Sequence, residues 1–453
     1  MSESHRFSRR RFIQTTGAAA MGSSLFANPL FAGATRRVRQ EPMRIALVGT
    51  GVRGVSMWGR DLVQNFADAV ELVGVCDANP GRLDYGHQFI GADCPKFVDL
   101  DEMLTETRPE RLIVTAWDYQ HHECIITGMR HGCDIICEKP VTIDEQKAQA
   151  ILDAQREYGR DVIVTHNYRY SPHRGRLKEL LQQEIIGEIR SVDLHWNISH
   201  GHLQQYMQRW HGERDKGGTL WVHKGSHHFD LVNWWLDSEP VEVFAWGALE
   251  RFGRNGPYRG EKCRTCPHQG ECDYYWDITR DDHLVQLYVN NEQHDGYIRD
   301  NCVFRENISI YDKHAAVVKY ANGATLNYSL MGSSDFEGFW LAFNGTKGRI
   351  EGREGPMVGR QRYHEWTVAV RDQEPEVIRV DFESGGHSGG DRRLKSMVFD
   401  PAVPDPQDQR ADLRQGLMAV LVGIAARTSI DRGQPVQIAG LTELEPMATR
   451  PRG

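Results

Sequence analysis

A glycine-rich turn between a short apolar run and a helical stretch constrains the fold of this chain more than any other feature. Residues 45–48 have the length and composition of a buried parallel strand, and Gly49-x-Gly51-x-x-Gly54 follows at once. Gly49 allows a tight turn, Gly51 lets the backbone approach a pyrophosphate, and Gly54 lets the helix pack closely. Free N–H groups at the helix start then point at the phosphates. This order predicts a dinucleotide-binding βαβ unit.

The predicted cofactor site extends beyond the three glycines. A second apolar run, residues 71–76, ends at Asp77, whose carboxylate can hold the two hydroxyls of a ribose. Asp77 favours NAD over NADP because a carboxylate repels a 2′-phosphate, whereas Arg82 nearby weakens that preference. The other candidate cofactor residues are Val52, Arg53, Thr115, Trp117, Glu138 and Lys139. The sequence therefore predicts bound NAD, with NADP as the alternative.

The first half of the chain keeps alternating short apolar runs with helical stretches. Further parallel strands are predicted at residues 112–115, 134–137 and 162–165. Together with the first two runs they form a doubly wound Rossmann sheet. Thr142 followed by Glu145 predicts a capping box at the start of a helix that extends to residue 157. Ligands of such sheets bind at the carboxyl ends of the strands, so Lys139 is expected at the cofactor edge.

From about residue 166 the pattern becomes that of an α+β domain with a large, mainly antiparallel sheet. Residues 190–198 alternate apolar and polar side chains, and residues 315–330 predict a hairpin that turns at Asn322-Gly323. Residues 251–276 are expected to form a long loop, and residues 413–426 a helix that packs back across the domains. The predicted domains are residues 42–165 for cofactor binding and residues 166–440 for substrate binding and oligomerisation.

The first 34 residues differ in composition from the rest of the chain. The segment SRRRFI at residues 8–13 precedes an alanine-rich apolar run, and Ala32-Gly33-Ala34 offers small residues for cleavage. This order resembles a twin-arginine (Tat) signal, which implies the Tat export machinery and a periplasmic or otherwise exported protein. Removal of residues 1–34 takes away four arginines and one glutamate, so the net charge changes from −8 to about −11. Such an acidic surface argues against nucleic acid as the main partner.

Several motifs in series resemble the Gfo/Idh/MocA oxidoreductases, the family of glucose–fructose oxidoreductase and inositol dehydrogenase. They are the glycine loop, the Cys76-Asp77 strand end, the triplet Glu138-Lys139-Pro140 and the segment GGTLWVHKGSHHFDLVNWW at residues 217–235. Shorter supporting motifs occur at residues 345–348, 386–391 and 426–436. The resemblance covers about residues 43–440. It implies hydride exchange between a bound nicotinamide and a hydroxyl of a sugar, glycoside or cyclitol, in a homodimer or homotetramer.

Lys139 and two histidines are the predicted catalytic residues. An oxidised nicotinamide lowers the pKa of a neighbouring lysine, which suits Lys139 as a proton donor or relay. His227 matches the acid/base histidine of the family, with a structural role or metal binding as alternatives. His223 stands where the family usually has an aspartate. An imidazole can relay a proton but supplies no fixed negative charge, so the proton path is expected to differ.

The candidate substrate-binding residues are polar or aromatic groups near the predicted strand ends and in the histidine-rich segment. Side chains of these types stack on sugar rings and form hydrogen bonds with hydroxyls. The alternatives are interdomain packing for the aromatic groups and a helix-start role for the histidine after the third strand. The candidates are His122, Tyr168, Arg169, Trp210, His228 and Asp230.

A cysteine-rich loop forms the third cluster of interest. Cys263-x2-Cys266-x5-Cys272, with Cys302 further along, has thiols at a spacing that suits a structural zinc ion. Disulfides and free thiols are the alternatives, because an exported protein meets an oxidising environment. The chain has nine cysteines, so at least one lies outside any internal disulfide.

Two functions besides a sugar or cyclitol dehydrogenase stay open at this point. Some members of the superfamily are glycosidases or lyases that oxidise a ring hydroxyl transiently, eliminate the group at the anomeric carbon, add water and return the hydride. An exported enzyme without cofactor regeneration fits that cycle. A nucleotide-stabilised binding protein is the other alternative, and it would leave Lys139 and the histidines idle.

Overall fold

The computed structural model describes residues 41–355, 363–400 and 402–451. The predicted export signal, residues 1–34, lies outside the described residues. From Pro42 onward the chain forms one compact unit. Within the described ranges, no helix combines the length and the apolar composition that a membrane span requires.

Two sheets contain all the strands of the described chain. The strands are β1 (Met43–Val48), β2 (Val70–Cys76), β3 (Lys96–Phe97), β4 (Arg111–Val114), β5 (Asp134–Cys137), β6 (Val162–Val164), β7 (Ile189–Ser199), β8 (Pro240–Ala248), β9 (Lys313–Tyr320), β10 (Thr325–Ser334), β11 (Gly338–Gly345), β12 (Gly348–Glu354), β13 (Tyr363–Val370), β14 (Glu376–Asp381), β15 (Ala411–Asp412) and β16 (Val436–Gln437).

The helices pack on the faces and ends of these sheets. They are α1 (Asp61–Asn65), α2 (Pro80–Ile90), α3 (Leu100–Thr107), α4 (His121–Arg130), α5 (Glu145–Tyr158), α6 (Pro172–Gln182), α7 (His200–Gln208), α8 (Arg214–Gly217), α9 (Leu220–His223), α10 (Gly225–Leu236), α11 (Asp282–Leu287), α12 (Glu292–Asp295), α13 (Gly390–Phe399) and α14 (Leu413–Arg432). A π-helical stretch, Gly54–Arg60, leads directly into α1.

The first sheet is the predicted doubly wound sheet, in the order β15-β6-β5-β4-β1-β2-β3. All neighbours are parallel except β15, which pairs antiparallel with β6. Its central strands are apolar along their length because helices cover both faces, and Ile45, Leu47 and Ile113 have no exposed surface. The predicted strands differ from the observed ones by no more than two residues at either end. The two-residue strands β3 and β15 were not predicted.

The second sheet has nine strands in the order β14-β13-β12-β11-β7-β10-β9-β8-β16. Its pairings are antiparallel except for β7 with β10. Side chains of β9 alternate between exposed and buried, so one face packs on helices while the other is open. Trp246, Val317 and Met331 are large apolar side chains that are exposed on these strands. The fold class predicted from the sequence, a Rossmann sheet followed by a mainly antiparallel domain, is confirmed.

Helix α14 contacts both sheets. It packs on β8 and α10 and also contacts β6 of the first sheet. Gly423 allows the closest approach, because a Cβ atom there would lie 2.3 Å from the carbonyl oxygen of Trp221. The helix therefore packs back across the two sheets, as its spacing predicted, and it extends six residues beyond the predicted end.

One predicted helix start is wrong. The helix after β5 begins at Glu145, and its N-cap is Asp144, whose carboxylate accepts the N–H of Lys147 at 2.8 Å. Thr142 lies two residues before this N-cap, with its hydroxyl buried. Asp144 caps this end because its side chain is the one that reaches a free N–H group of the first turn.

Candidate active site

The glycine loop follows β1 directly. Because β1 and β4 are parallel neighbours, the loop lies beside the carboxyl ends of both strands, at one edge of the first sheet. Gly49 has a φ of +95°, and a Cβ atom there would lie 2.6 Å from the backbone of Thr115. A Cβ atom at Gly54 would lie 2.0 Å from the carbonyl oxygen of Gly49. Both positions therefore require glycine. At Gly51 a Cβ atom would lie 3.4 Å from the Tyr288 hydroxyl, which lies against the outer side of the loop.

Asp77 stands at the end of β2, beside this loop. Its Oδ2 accepts the N–H and the hydroxyl of Thr50 at 2.8 and 2.9 Å, and its Oδ1 accepts the N–H of Asn79 at 2.9 Å. Arg82 approaches both oxygens at 3.4 Å and also pairs with Asp295 at 2.5 Å. The carboxylate is thus oriented by the loop itself. Arg82 contacts two carboxylates, those of Asp77 and Asp295. Their negative charges would repel the 2′-phosphate of NADP.

A segment of the second half of the chain, residues 278–295, covers the glycine loop. The Tyr288 hydroxyl accepts the N–H of Val52 at 3.1 Å. Asn79 donates to the carbonyl of Asn291 at 3.0 Å, and Asp295 holds Arg82. Sequence reasoning missed this segment because no local pattern connects it with residues more than 200 positions earlier.

Arg53, Thr115 and Glu138 were predicted to contact the cofactor, and the structure gives their side chains a different role. Glu138 accepts from Trp58 at 2.7 Å and from Arg53 at 2.8 Å. Arg53 also reaches Asp391 at 3.4 Å, and the Thr115 hydroxyl donates to Gly49 at 2.6 Å. These side chains hold the glycine loop against the sheet, so they act on a cofactor through the position of the loop.

Lys139 and His223 lie in contact at the end of β5. The Lys139 ammonium donates to the His223 carbonyl at 3.1 Å, and its Nζ lies 3.5 Å from Nε2 of His223. Nδ1 of His223 lies 2.5 Å from Oδ2 of Asp118, which follows β4. Burial lowers the pKa of Lys139 to about 8, and the carboxylates of Asp118 and Glu138 limit the decrease. A lysine with this pKa exchanges protons near neutral pH.

His227 lies in the same buried cluster, on the far side of a break in the helix. Helix α9 ends at His223 and α10 begins at Gly225, so the predicted helical segment is interrupted at Lys224. The His227 ring stacks on Tyr168 with 4.1 Å between ring centroids. Burial and the positive charges of Lys139 and Lys224 lower the pKa of His227 well below its ordinary value. The imidazole is therefore neutral, and protonation of this ring is unfavourable in the absence of a negative charge.

Aromatic side chains form one wall beside His223. Trp117 stacks on Trp210 with 6.0 Å between centroids, and the edge of His223 meets Trp210 at 6.1 Å. Tyr168 forms another part of the cluster, and its hydroxyl accepts from Lys224 at 3.1 Å. The structure thus places the predicted residues Trp117, Trp210 and Tyr168 around Lys139 and the histidines.

The other four predicted substrate-binding residues contact protein groups in this structure. Arg169 and Asp230 are fully buried and pair with each other through two hydrogen bonds of 2.6 and 2.9 Å. His228 is buried, bonded to the Tyr328 hydroxyl at 2.7 Å and stacked on an indole ring. His122 lies at the start of α4, where its ionic contact is Glu123 at 3.9 Å. Arg169 and Asp230 are thus occupied by protein partners, whereas Nδ1 of His122 and Nε2 of His228 have no hydrogen-bond partner among the described residues.

The sequence analysis also missed groups of the cluster that the fold brings together. Asp118 and His211 join His223 from separate elements, and the donor atoms of the three lie within 4.8 Å of one another. Asp118 follows Trp117 directly, and a polar residue just after a parallel strand is a signal that could have identified it. His211 belongs to a turn after α7 and carries no such signal.

The four cysteines of the long loop line one small cavity of about 10 Å³. Cys302 Sγ accepts N–H bonds from Gly260 and Phe304, each at 3.4 Å, and Gln208 donates to Cys263 Sγ at 3.2 Å. All four are free thiols in this structure. The four cysteines therefore line the same cavity, but no three of their sulfur atoms lie within 4.8 Å of one another in the described residues.

Comparison with known proteins places the chain in a family. Residues 43–166 match the Gfo/Idh/MocA oxidoreductase family with an NAD-binding Rossmann fold, and residues 178–438 match the C-terminal alpha/beta domain of the same family. This chain belongs to the Gfo/Idh/MocA oxidoreductase family. It is therefore an oxidoreductase with an NAD-binding domain, as its motifs indicated.

Relatives within the Gfo/Idh/MocA family differ in how much of the chain they match. YteT of Bacillus subtilis (strain 168) is 34% identical over 426 residues, which are 88% of this chain and 99% of YteT. The inositol 2-dehydrogenase/D-chiro-inositol 3-dehydrogenase of Lactiplantibacillus plantarum is 21% identical over 197 residues, 43% of this chain and 53% of that enzyme. The match to that enzyme thus spans about half of its length.

Solved structures of other family members share the fold. A levoglucosan dehydrogenase in complex with NADH and levoglucosan superposes with a TM-score of 0.64 at 16% identity, covering 88% of this chain and all of that one. The myo-inositol 2-dehydrogenase of Lactobacillus plantarum gives a TM-score of 0.58 at 16% identity, covering 88% of this chain and 99% of that chain. At this identity the similarity concerns the fold alone.

Proposed function

We propose that this oxidoreductase transfers a hydride between NAD and a hydroxyl-bearing carbon of a sugar, glycoside or cyclitol. The observation that carries the proposal is the position of Lys139. It lies just after β5, in a cluster of neutral histidines and aromatic rings beside the glycine loop. Alcohol oxidation needs a group that takes the hydroxyl proton and a surface that holds a polyhydroxylated ring. Both are present in this cluster.

The residues around the glycine loop fit NAD. The turn demands glycine at two positions, and the Asp77 carboxylate at the end of β2 accepts from Thr50 of the loop. When bound, NAD supplies the hydride acceptor. Gly49, Gly51 and Gly54 would hold the pyrophosphate, and Asp77 the ribose. The N–H of Val52 would join them in place of its bond to the Tyr288 hydroxyl. The carboxylates of Asp77 and Asp295 on either side of Arg82 favour NAD over NADP.

The chain's own groups then handle the proton. Lys139 takes the proton of the substrate hydroxyl, since its lowered pKa keeps a fraction of the amine neutral near pH 7. His227, which is neutral, would serve as a proton relay in the cluster. Trp117 and Trp210 are partly exposed and offer aromatic surface for the ring of the substrate. Tyr168 is buried, because its ring stacks on His227 and lies under Arg174, so it supports this surface from behind.

Names within the family support the substrate class. The Lactiplantibacillus plantarum relative is named for dehydrogenation of inositols, and an Agrobacterium fabrum relative, 24% identical over 203 residues, is an inositol 2-dehydrogenase. Cyclitols and sugars share a ring of secondary hydroxyls, which is the group that the aromatic and proton-transferring side chains of this cluster suit.

The test is nicotinamide absorbance in purified protein incubated with NAD and a panel of sugars, glycosides and cyclitols. We expect reduction with at least one ring alcohol and its loss in Lys139→Ala. Lys96→Arg, an exposed change distant from the cluster, serves as the control. Unchanged turnover in Lys139→Ala would exclude the assigned role. Release of an aglycone with no net change in absorbance would overturn the proposal in favour of a redox-neutral glycosidase or lyase.

We propose that the protein is exported through the Tat route. The supporting observation is the order of arginine pair, apolar run and small residues within residues 1–34. Cell fractionation of the full chain should find shortened protein outside the cytoplasm, and Arg9→Lys with Arg10→Lys should retain the full-length form inside. Arg6→Lys is the matched control. Export of the double variant at the normal level would contradict the proposal.

We propose that the cysteine cavity holds a structural zinc ion. Four thiols around one cavity, three of them within ten residues, could order the long loop through a single metal. Metal analysis of the full-length protein should find zinc, and Cys266→Ser should lose it and lower the melting temperature. Protein with four reactive thiols and no metal would exclude the site.

We propose self-association through the open face of the second sheet, where Trp246, Val317 and Met331 are 57%, 41% and 50% exposed. Sedimentation should show a dimer or tetramer. Trp246→Lys should shift the equilibrium toward the monomer. A wild-type protein that is monomeric at micromolar concentration would overturn the proposed self-association.

A further inference from the structure

We propose that Asp118 and His223 form a proton relay behind Lys139, in which Asp118 receives the proton that Lys139 gives up. This inference rests on the proposed function, because it describes how Lys139 becomes a base. The relay joins the imidazole of His223, at the end of α9, to the carboxylate of Asp118 in the turn after β4.

The contacts form a continuous path. Lys139 Nζ lies 3.5 Å from Nε2 of His223, and Nδ1 on the opposite side of the ring lies 2.5 Å from Oδ2 of Asp118. Asp118 and His223 are 4% and 9% exposed. An imidazole that contacts one group with each nitrogen can accept a proton on one side and release another on the other side. Asp118 and His223 are within hydrogen-bond distance of each other.

The relay has two states with the same number of protons. In the first, Lys139 is an ammonium, His223 carries its proton on Nδ1 and Asp118 is a carboxylate. In the second, a proton has moved from Lys139 to Nε2 of His223, and the Nδ1 proton has moved to Asp118. The first state separates two charges and the second has none, so burial lowers the free-energy cost of reaching the second, while the first predominates below about pH 8. Lys139 is then a neutral amine, ready to take the proton of a substrate hydroxyl.

The surroundings agree with such an exchange. Burial raises the pKa of Asp118 well above its ordinary value despite the opposing effect of Lys139. Burial and the charge of Lys139 lower the pKa of His223 well below its ordinary value. The imidazole of His223 is therefore neutral before and after each proton transfer. The charged or titratable groups that act on the relay from neighbouring elements are Glu138, His202, Arg209, His211 and Lys224.

A metal ion is the competing occupant of this site. The donor atoms of Asp118, His211 and His223 lie within 4.8 Å of one another, and among the described residues Nδ1 of His211 has no hydrogen-bond partner. However, the cluster offers one carboxylate, while Lys139, Arg209 and Lys224 bring positive charges close to it. A divalent cation is unfavourable in such a field. The charges therefore favour proton transfer.

The first experiment follows Lys139 itself, without any substrate. The NMR shift of its ε-carbon is recorded against pH in protein with labelled lysines, and Lys139→Arg assigns the signal. We expect a midpoint near 8 in the wild type and a midpoint at least one pH unit lower in Asp118→Asn, because the carboxylate that stabilises the ammonium is gone. Asp118→Glu should restore most of the wild-type value. An unchanged midpoint in Asp118→Asn would overturn the relay.

The second experiment measures hydride transfer in a single turnover. Asp118→Asn should slow it by about 100-fold, within the usual range for loss of an acid–base group, while Asp118→Glu recovers part of the rate. NAD affinity should stay the same in both variants. A stoichiometric metal in the wild type that is lost in both Asp118→Asn and His211→Ala would overturn the relay in favour of a metal site. Absence of hydride transfer in the wild type, with the expected NMR shift, would refute the proposed function alone.

Discussion

Arg53 donates to Glu138 across 2.8 Å, and this contact joins the helix after the glycine loop to the strand end that carries Lys139. Trp58 donates to the same carboxylate oxygen at 2.7 Å, and Asp391 approaches Arg53 from the second half of the chain. The loop that would hold a cofactor and the residue that would move the proton are thus fixed to each other by one buried carboxylate.

Glu138→Gln should lower both stability and NAD affinity. The amide keeps the shape of the side chain but removes the charge that faces Arg53, which then retains only Asp391 at 3.4 Å. Because the Arg53 side chain is 35% exposed, solvent screening limits the loss to about 1–2 kcal/mol of the free energy of unfolding. Chemical denaturation and NAD titration measure the two effects. Glu106→Gln, an exposed change on α3, is the matched control. Equal stability of Glu138→Gln and wild type would contradict this assignment.

The same variant makes a prediction about pH. Burial raises the pKa of Glu138, but Arg53 and Trp58 outweigh burial, and the net pKa lies below its ordinary value. A carboxyl group with a lowered folded-state pKa stabilises the protein above its unfolded pKa of about 4.3 and loses this contribution as the pH falls through the folded pKa. The stability difference between wild type and Glu138→Gln should therefore be full at pH 7 and shrink in acid. A stability difference that grows as the pH falls would contradict a lowered pKa for Glu138.

Lys139 should give the rate of alcohol oxidation its pH dependence. Its pKa of about 8 means that the neutral amine, the form that accepts a proton, increases as the pH rises through that value. The single-turnover rate should rise from pH 6 to pH 9 with a midpoint near 8. Lys139→Arg should be slow throughout this range because the guanidinium stays protonated. A wild-type rate that falls with increasing pH would contradict the role of Lys139 as a base.

Much of the first sheet could be predicted because its signals are local. Residues 45–48 and 134–137 are apolar runs bounded by glycine or polar residues, and each run becomes a buried strand. The strand β15 consists of Ala411 and Asp412, and two residues carry no periodicity from which to predict a strand. Its pairing with β6 joins Ala411 to Val164, which are too far apart in the sequence for a local pattern to connect.

The position of a candidate site residue could be predicted from the sequence where a single strand or helix determines that position. Lys139 follows a predicted strand, so its place at the cofactor edge could be inferred. The contact between Asp118 and His223 joins residues 105 positions apart and depends on how the two sheets pack. Arg169 was predicted to bind substrate because of its type, and the partner that neutralises it, Asp230, is 61 positions away. Residue type indicates chemistry, but the fold decides whether a group is free to perform it.

Asp295 and Asp77 should control the choice between NAD and NADP. Both carboxylates contact Arg82. A 2′-phosphate would therefore be repelled by two negative charges, and the guanidinium that could bind it is already paired with those carboxylates. Asp77→Ser combined with Asp295→Asn should release Arg82 and shift the ratio of NAD to NADP affinity toward NADP by at least tenfold. Titration of both cofactors measures this. Asp282→Asn, on the exposed face of α11, should leave the ratio unchanged. An unaltered preference in the double variant would show that these carboxylates do not set it.

Arg169 and Asp230 should contribute to stability, not to substrate affinity. The two side chains have almost no exposed surface, and Arg169 also donates to Gln415 at 2.8 Å. Asp230→Asn leaves a buried guanidinium without its counter-charge, which costs about 3–5 kcal/mol of the free energy of unfolding. Arg169→Met with Asp230→Leu removes both charges and should cost less than Asp230→Asn alone. Denaturation of the single, double and exposed control (Asp93→Asn) variants measures these differences. If Asp230→Asn unfolds like the wild type and raises only the KM for the sugar, the pair belongs to the substrate site after all.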